Sequence, residues 1–166
     1  MEPIELTEVD RKNLENIAEH LNNLAKPYYE QEKYKEAEFL YLKAVEIYKI
    51  TLPENHPQLI RHLNNLAKLY YEQGKYEEAE PFFLQAMKIN KINKIALSKN
   101  DPYIDISLNN LAELYYAQGK YEDAKFLFLK TIEILKKSLG EEHPNTQTVI
   151  KNYQIFLNEK NNEENE

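Results

Sequence analysis

One stretch, written three times, decides what this chain can fold into. It runs Leu63-Asn64-Asn65-Leu66-Ala67-Lys68-Leu69-Tyr70-Tyr71-Glu72-Gln73-Gly74-Lys75-Tyr76-Glu77-Glu78-Ala79-Glu80. A near copy begins 42 residues earlier at Leu21, and another 45 residues later at Leu108. Repetition at a nearly constant period of this length marks an array of supersecondary units, each resting on its neighbours. A single globular core is therefore not required of these 166 residues.

Within a copy the pattern is helical. Leu14, Ile17, Leu21, Leu24 and Tyr28 recur three or four residues apart, the spacing of one helix face. Thr7 with Asp10 three residues on reads as a capping box opening this first helix, and its extra N-terminal turns are expected to cover the exposed end of the array. Gly74 and Gly119 suit the left-handed position that ends a helix. Glu32 replaces them in the first copy and predicts a weaker turn. Pro27 stands where the other copies have Leu69 and Leu114, which predicts a bend or early loosening. Second helices are expected over Tyr34 to about Leu52, Tyr76 to about Leu97 and Tyr121 to about Leu139. Each following copy opens at Pro57, Pro102 or Pro144, with Asp101, His56 and His143 as the preceding caps. The three extra residues before Asn100 are read as a longer helix or a wider loop. After Pro144 the chain opens a further copy through Ile150-Lys151-Asn152-Tyr153 and ends that helix near Leu157. This makes seven helices: three pairs and a cap.

Small residues recur where two helices must approach: Ala25, Ala67 and Ala112 on the first helix, Ala37, Ala79 and Ala124 on the second. Large residues flank them: Leu24, Leu66 and Leu111; Tyr28, Tyr70 and Tyr115; Tyr41, Phe83 and Phe128. Small against large in constant register packs a helix hairpin without voids. Ala44 and Ala86 extend the pattern, and Thr131 breaks it mildly.

The composition narrows function. A formal net charge of −7 disfavours non-specific binding to nucleic acid or an anionic membrane. The absence of cysteine removes disulfides, thiol nucleophiles and cysteine metal sites. No apolar run approaches a membrane span, and Met1-Glu2-Pro3-Ile4-Glu5-Leu6 has no signal-peptide character. The expectation is a soluble, cytoplasmic module, itself a candidate piece of a longer multidomain protein. Glycine-rich phosphate loops, Gly-x-Ser-x-Gly and His-Glu-x-x-His are missing, and His20 and His62 are too scattered for a ligand set. Neither catalysis, a metal nor a cofactor is expected.

The order Leu-x-x-Leu-Ala-x-x-Tyr, then Gly-x-Tyr-x-x-Ala-x-x-x-Phe-x-x-Ala, resembles the tetratricopeptide repeat (TPR). The 42-residue period, the Leu-Asn-Asn-Leu-Ala motif, Tyr70 to Pro81 and Leu-Gly-Glu-Glu-His-Pro at 139–144 resemble its kinesin light chain subtype. The resemblance implies an all-α, right-handed superhelical solenoid of antiparallel helix pairs, three pairs plus a C-terminal capping helix. It would be a single TPR-like domain over 1–158, with copies at about 15–56, 57–101 and 102–143 and a capping helix at 144–158. Residues 159–166, polar and aperiodic, are expected to be disordered.

The resemblance further implies that the first helices line a concave groove binding a peptide or partner segment. The positions are Glu19, Asn22, Asn23, Lys26, Tyr29 and Glu30, then Arg61, Asn64, Asn65, Lys68, Tyr71 and Glu72. Ile106, Asn109, Asn110, Glu113 and Tyr116 follow, with Lys151 and Asn152 from the cap. Helical spacing also sets Asn22, Lys26, Tyr29 and Glu30 on one side, opposite the apolar stripe. Asparagine is a poor helix former, so six in register ask for a reason. One amide can bracket a peptide backbone with a donor and an acceptor. Alternatively, the second Asn of each pair bonds helix to helix. Lys26, Arg61, Lys68 and Lys151 offer positive charge, but Glu19, Glu30, Glu72 and Glu113 share the face, which suits a ligand of mixed charge with an apolar anchor. The tyrosines have a plain reading too, as core residues whose hydroxyls reach solvent. A rival class of function is a structural or oligomerising spacer using its convex face or its ends.

Overall fold

The computed structural model describes residues 6–96 and 103–163, with side chains over 6–91 and 107–160. Every regular element among them is helical: α1 (Glu8–Glu30), α2 (Tyr34–Thr51), α3 (Gln58–Glu72), α4 (Tyr76–Ala96), α5 (Tyr103–Ala117), α6 (Tyr121–Ser138) and α7 (Pro144–Glu163). The expected class holds, with three antiparallel pairs and one final helix. The chain divides into two compact units, Met1–Ile89 and Asn90–Glu166. In the first, α2 packs against both α1 and α3; in the second, α6 packs against both α5 and α7.

The Thr7 capping box forms as expected. Thr7 Oγ1 accepts from the Asp10 amide at 3.1 Å, and the Asp10 carboxylate accepts from the Thr7 amide. His143, directly before α7, accepts at Nδ1 from the Asn145 amide at 3.2 Å; His56 makes the same bond to the Gln58 amide at 3.3 Å but stands one residue before the cap position of α3, which is Pro57. Pro144 opens α7, while α3 opens one residue after Pro57. The Asp101–Pro102 cap lies outside the described residues. So does the end of the three-residue insertion, although α4 runs through Ala96, its longer-helix form.

Two expected weaknesses of the first copy take another form. α1 runs unbroken through Pro27 to Glu30. Pro27 is exposed and only three residues from the end of α1, so the helix loses the one bond to the Asn23 carbonyl with less than a turn left to hold beyond it. The turn after it is also kept, because Glu32 adopts φ 58°, matching Gly74 at 71° and Gly119 at 74°. In all three turns paired amides close the helix end: Lys33 onto Tyr28 and Glu32 onto Tyr29, Lys75 onto Tyr70 and Gly74 onto Tyr71, Lys120 onto Tyr115 and Gly119 onto Tyr116. The same lysines lie over the same tyrosine rings, 5.9, 5.7 and 4.8 Å from their centroids.

The small-residue register is the packing seam. Ala25, Ala37, Ala67, Ala79, Ala112 and Ala124 are fully buried, as are Ala44 and Ala86. Tyr41, Phe83 and Phe128 fill the adjoining layer. Thr131, also buried, satisfies its hydroxyl on the Leu127 carbonyl at 2.7 Å. One large residue departs from expectation. Leu66 and Leu111 are buried, yet Leu24 is 52% exposed, because no preceding helix among the described residues covers α1. The long first helix therefore leaves its outer face uncovered.

The C-terminal end also differs. α7 continues to Glu163, past the expected end near Leu157, so residues 159–163 are helical rather than disordered. Tertiary partners hold them: Tyr116 donates to Glu159, and Lys160 pairs with Glu122 at 3.4 Å.

Candidate functional site

In the first unit the predicted residues of α1 and α3 form rungs between the two helices. Asn65 Nδ2 donates to Asn22 Oδ1 at 3.0 Å. Arg61 pairs with Glu19, which also accepts from the Tyr48 hydroxyl at 3.3 Å. Burial alone would raise the Glu19 carboxyl, but the Arg61 hydrogen bond and charge hold it below its ordinary value. Tyr29 faces Glu72; burial first, then that carboxylate, pushes the phenol's pKa up. Tyr29 and Tyr71 also rest on Tyr34 and Tyr76, the residues that open the next helices, with ring centroids 6.3 and 5.5 Å apart.

The second unit repeats these rungs. Asn152 Nδ2 reaches both Asn109 Oδ1, at 3.3 Å, and Glu113 Oε1, at 2.6 Å. Asn109 Nδ2 donates to the same carboxylate oxygen at 2.8 Å. Tyr116 donates to Glu159 and packs 5.8 Å from Tyr121.

The asparagines thus divide by position in the pair. The first of each, Asn22, Asn64 and Asn109, is buried at 4, 7 and 8% exposure. Their row lies on the flank of the apolar stripe rather than opposite it. Of the second asparagines, Asn65 and Asn152 act as donors to the neighbouring first helix, the helix-to-helix alternative. Asn110 is half-buried and Asn23 exposed. Lys26, Lys68 and Lys151 are exposed on their helices, with Lys26 3.8 Å from Glu30. The side chain of Ile106 lies outside the described residues.

His62 is the residue that sequence reasoning undervalued. It is 1% exposed, stacks 4.3 Å from Tyr48 of α2, and neither ring nitrogen has a hydrogen-bond partner. Burial, then the Arg61 charge, lowers its pKa to about 4, against a smaller opposing pull from Glu19 at 3.8 Å. The signal was present: His62 sits between Leu59 and Leu66 on the apolar face, where the later copies have Ser107 and Val149. Among the described residues, no three His, Asp or Glu side chains gather to hold a metal, and no helix is long and apolar enough to cross a membrane.

Helix pairs closed by the same turn, seamed by alanine and rung together through their first helices define an α-helical repeat protein. Two tetratricopeptide-repeat family models match the sequence, over residues 16–92 and 106–145, and the chain is a tetratricopeptide-repeat protein. Solved structures agree. One is a Podosopora anserina chain of nearly identical TPR-like repeats, assigned as a kinesin light chain; it is 28% identical with a TM-score of 0.65, over 80% of this chain and 61% of that one. BtubC (BKLC) from P. vanneervenii is 23% identical with a TM-score of 0.76, over 92% and 59%. The first TPR of Spaghetti (RPAP3), bound to HSP90 peptide SRMEEVD, is 18% identical with a TM-score of 0.58, over 86% and 94%. The chain thus spans about three-fifths of the first two. Among curated proteins none matches it.

Proposed function

We propose that the first-helix faces bind an extended peptide or partner segment, and that the repeats are of the kinesin light chain type. On this reading the protein is a cytoplasmic binding module without catalysis. The observation that carries it is the set of rungs between α1 and α3: Glu19 with Arg61, Asn22 with Asn65, and Tyr29 against Glu72. Side chains already locked to one another lose little freedom when a ligand arrives. The rungs leave Lys26 and Lys68 projecting beside them. The ligand has acidic groups for these lysines and an apolar residue for the Tyr29 and Tyr71 rings. The peptide complex of the Spaghetti domain supports peptide capture by this fold, and the identity with the Podosopora anserina repeats supports the subtype.

The test is peptide display on the purified chain, repeated with Lys26→Glu/Lys68→Glu. Both side chains are exposed, so folding should be unchanged by circular dichroism. The selected consensus should bind the double variant at least about tenfold more weakly. Enrichment that survives the substitutions removes the first unit's face as the site. Asn64→Ala and Asn109→Ala are less useful, because buried amides test stability and binding together.

A further inference from the structure

Of the rungs between α1 and α3, the one made by Glu19 has a second partner within reach. Glu19 Oε2 accepts from the Arg61 guanidinium and from the Tyr48 hydroxyl, and the same oxygen stands 3.8 Å from His62 Nε2. Neither nitrogen of that ring has a hydrogen-bond partner, and the residue is 1% exposed. Glu19 and Arg61, by contrast, are 36% and 42% exposed, so both have room to move. A charge-assisted bond from an imidazolium to a carboxylate spans about 2.8 Å. A shift of about 1 Å at the end of Glu19 would make one.

Packing does not require a histidine at this place. The positions of Tyr48 and His62 are taken by Asn90 and Ser107 one copy on, and by Leu135 and Val149 in the last. Asn90 donates to Ser107 at 3.1 Å, and Leu135 and Val149 are buried apolar side chains. Neither later pair holds a titratable group. In the first, Tyr48 stacks on a ring whose nitrogens stay unbonded, an arrangement that costs folding stability. The charges that act on this ring are Arg61 of its own helix and Glu19 of α1. From α2 comes the Tyr48 phenol, which itself feels Glu19 and Glu15. The imidazole is thus placed beside the carboxylate that occupies Arg61.

We propose that Glu19 stands in for a ligand carboxylate at Arg61, and that a carboxylate arriving there sends Glu19 to His62, which takes up a proton. The charges balance. The guanidinium keeps one carboxylate throughout, and the displaced Glu19 gains an imidazolium whose proton comes from solvent. Without that proton, Glu19 would be left with the Tyr48 hydroxyl alone. In the free chain the ring protonates at about 4; a carboxylate drawn closer raises this toward the ordinary 6.5. Linkage is reciprocal, so protons strengthen binding by the factor that the ligand strengthens protonation. The inference rests on the peptide-binding reading: the ligand is an acidic peptide with one side-chain carboxylate seated at Arg61.

Two measurements on the whole chain test it. The first needs no ligand: the His62 imidazole is titrated by NMR in the wild type, Arg61→Gln and Arg61→Gln/Glu19→Gln. With Arg61 gone, Glu19 turns to the ring, and the midpoint should rise by about one pH unit or more. Removing Glu19 as well should cancel most of the rise. No rise, or a rise that persists without Glu19 and so reflects only the lost Arg61 charge, overturns the proposal. The second is calorimetry near pH 6 with an acidic peptide enriched by display, in two buffers of different ionisation enthalpy. The heat should differ between buffers because a proton is taken up. Affinity should rise about threefold or more between pH 7 and pH 5.5, and His62→Leu should abolish both effects. Binding without proton uptake, or with uptake unchanged in His62→Leu, removes the coupling and leaves peptide binding standing. A selection that enriches no acidic peptide removes the peptide reading, and this inference falls with it.

Discussion

α1 and α3 are two copies of one helix in different company. Both carry Leu-Asn-Asn-Leu-Ala, both end in Tyr-Tyr-Glu-Gln, and both bury the alanine of that motif completely. The face toward the partner helix of the same pair is therefore alike. The opposite flank is not: Leu59, His62 and Leu66 are buried, whereas Ile17, His20 and Leu24 are open. A motif can specify which face of a helix is apolar, but burial requires something to lie against it. The shared sequence thus carries different energies at the two places.

The widest separation should come from truncating equivalent leucines. Leu66→Ala should cost about 2–5 kcal/mol in chemical denaturation, through lost transfer energy and the cavity left behind. Leu24→Ala, half in solvent, should cost under about 1 kcal/mol. Equal costs would mean that α1 is covered in solution.

His62 separates the two helices by pH. It binds a proton less readily folded than unfolded, so the unfolded chain takes up protons first as pH falls. Its contribution is whole above pH 6.5 and is lost between 6.5 and about 4. The loss amounts to about 3 kcal/mol for a shift of that size. Denaturation midpoints across that window should fall, and His62→Leu, which leaves no buried ring nitrogen without a partner, should flatten the decline.

The alanine seam should erase the difference. Ala25→Leu and Ala67→Leu should each cost about 1–3 kcal/mol by overpacking, since both sites are closed by their own second helices. A large gap between these two costs would break the comparison on the face where α1 and α3 are alike.

The smallest effect concerns the turns. Glu32 holds a left-handed conformation at φ 58°, where α3 has Gly74. Glu32→Gly should stabilise by about 1 kcal/mol, by relieving backbone strain. Gly74→Glu should destabilise α3 by a similar amount, both read as shifts in thermal midpoint.

Much of the site was legible before any coordinates. Helical spacing brought Asn22, Lys26 and Tyr29 near one another, and the repeat aligned them with Asn64, Lys68 and Tyr71. Their bonding was not legible. That Asn65 donates to Asn22, or that Asn152 reaches both Asn109 and Glu113, depends on a neighbouring helix some 40 residues away in sequence. Periodicity also treated Asn22 as a surface residue, because it does not report how closely the next helix approaches.

By itself, the sequence determined the repeat, the seven helices, the alanine seam and most of the turns. Those follow from local spacing, capping and side-chain size, which act within a few residues. Only the tertiary structure decided that α7 runs on to Glu163, that Glu32 substitutes for glycine, that His62 is buried without a hydrogen bond, and that Leu24 is open while Leu66 is closed. Each of these depends on what stands beside a residue in space, and repeated sequence does not guarantee repeated neighbours.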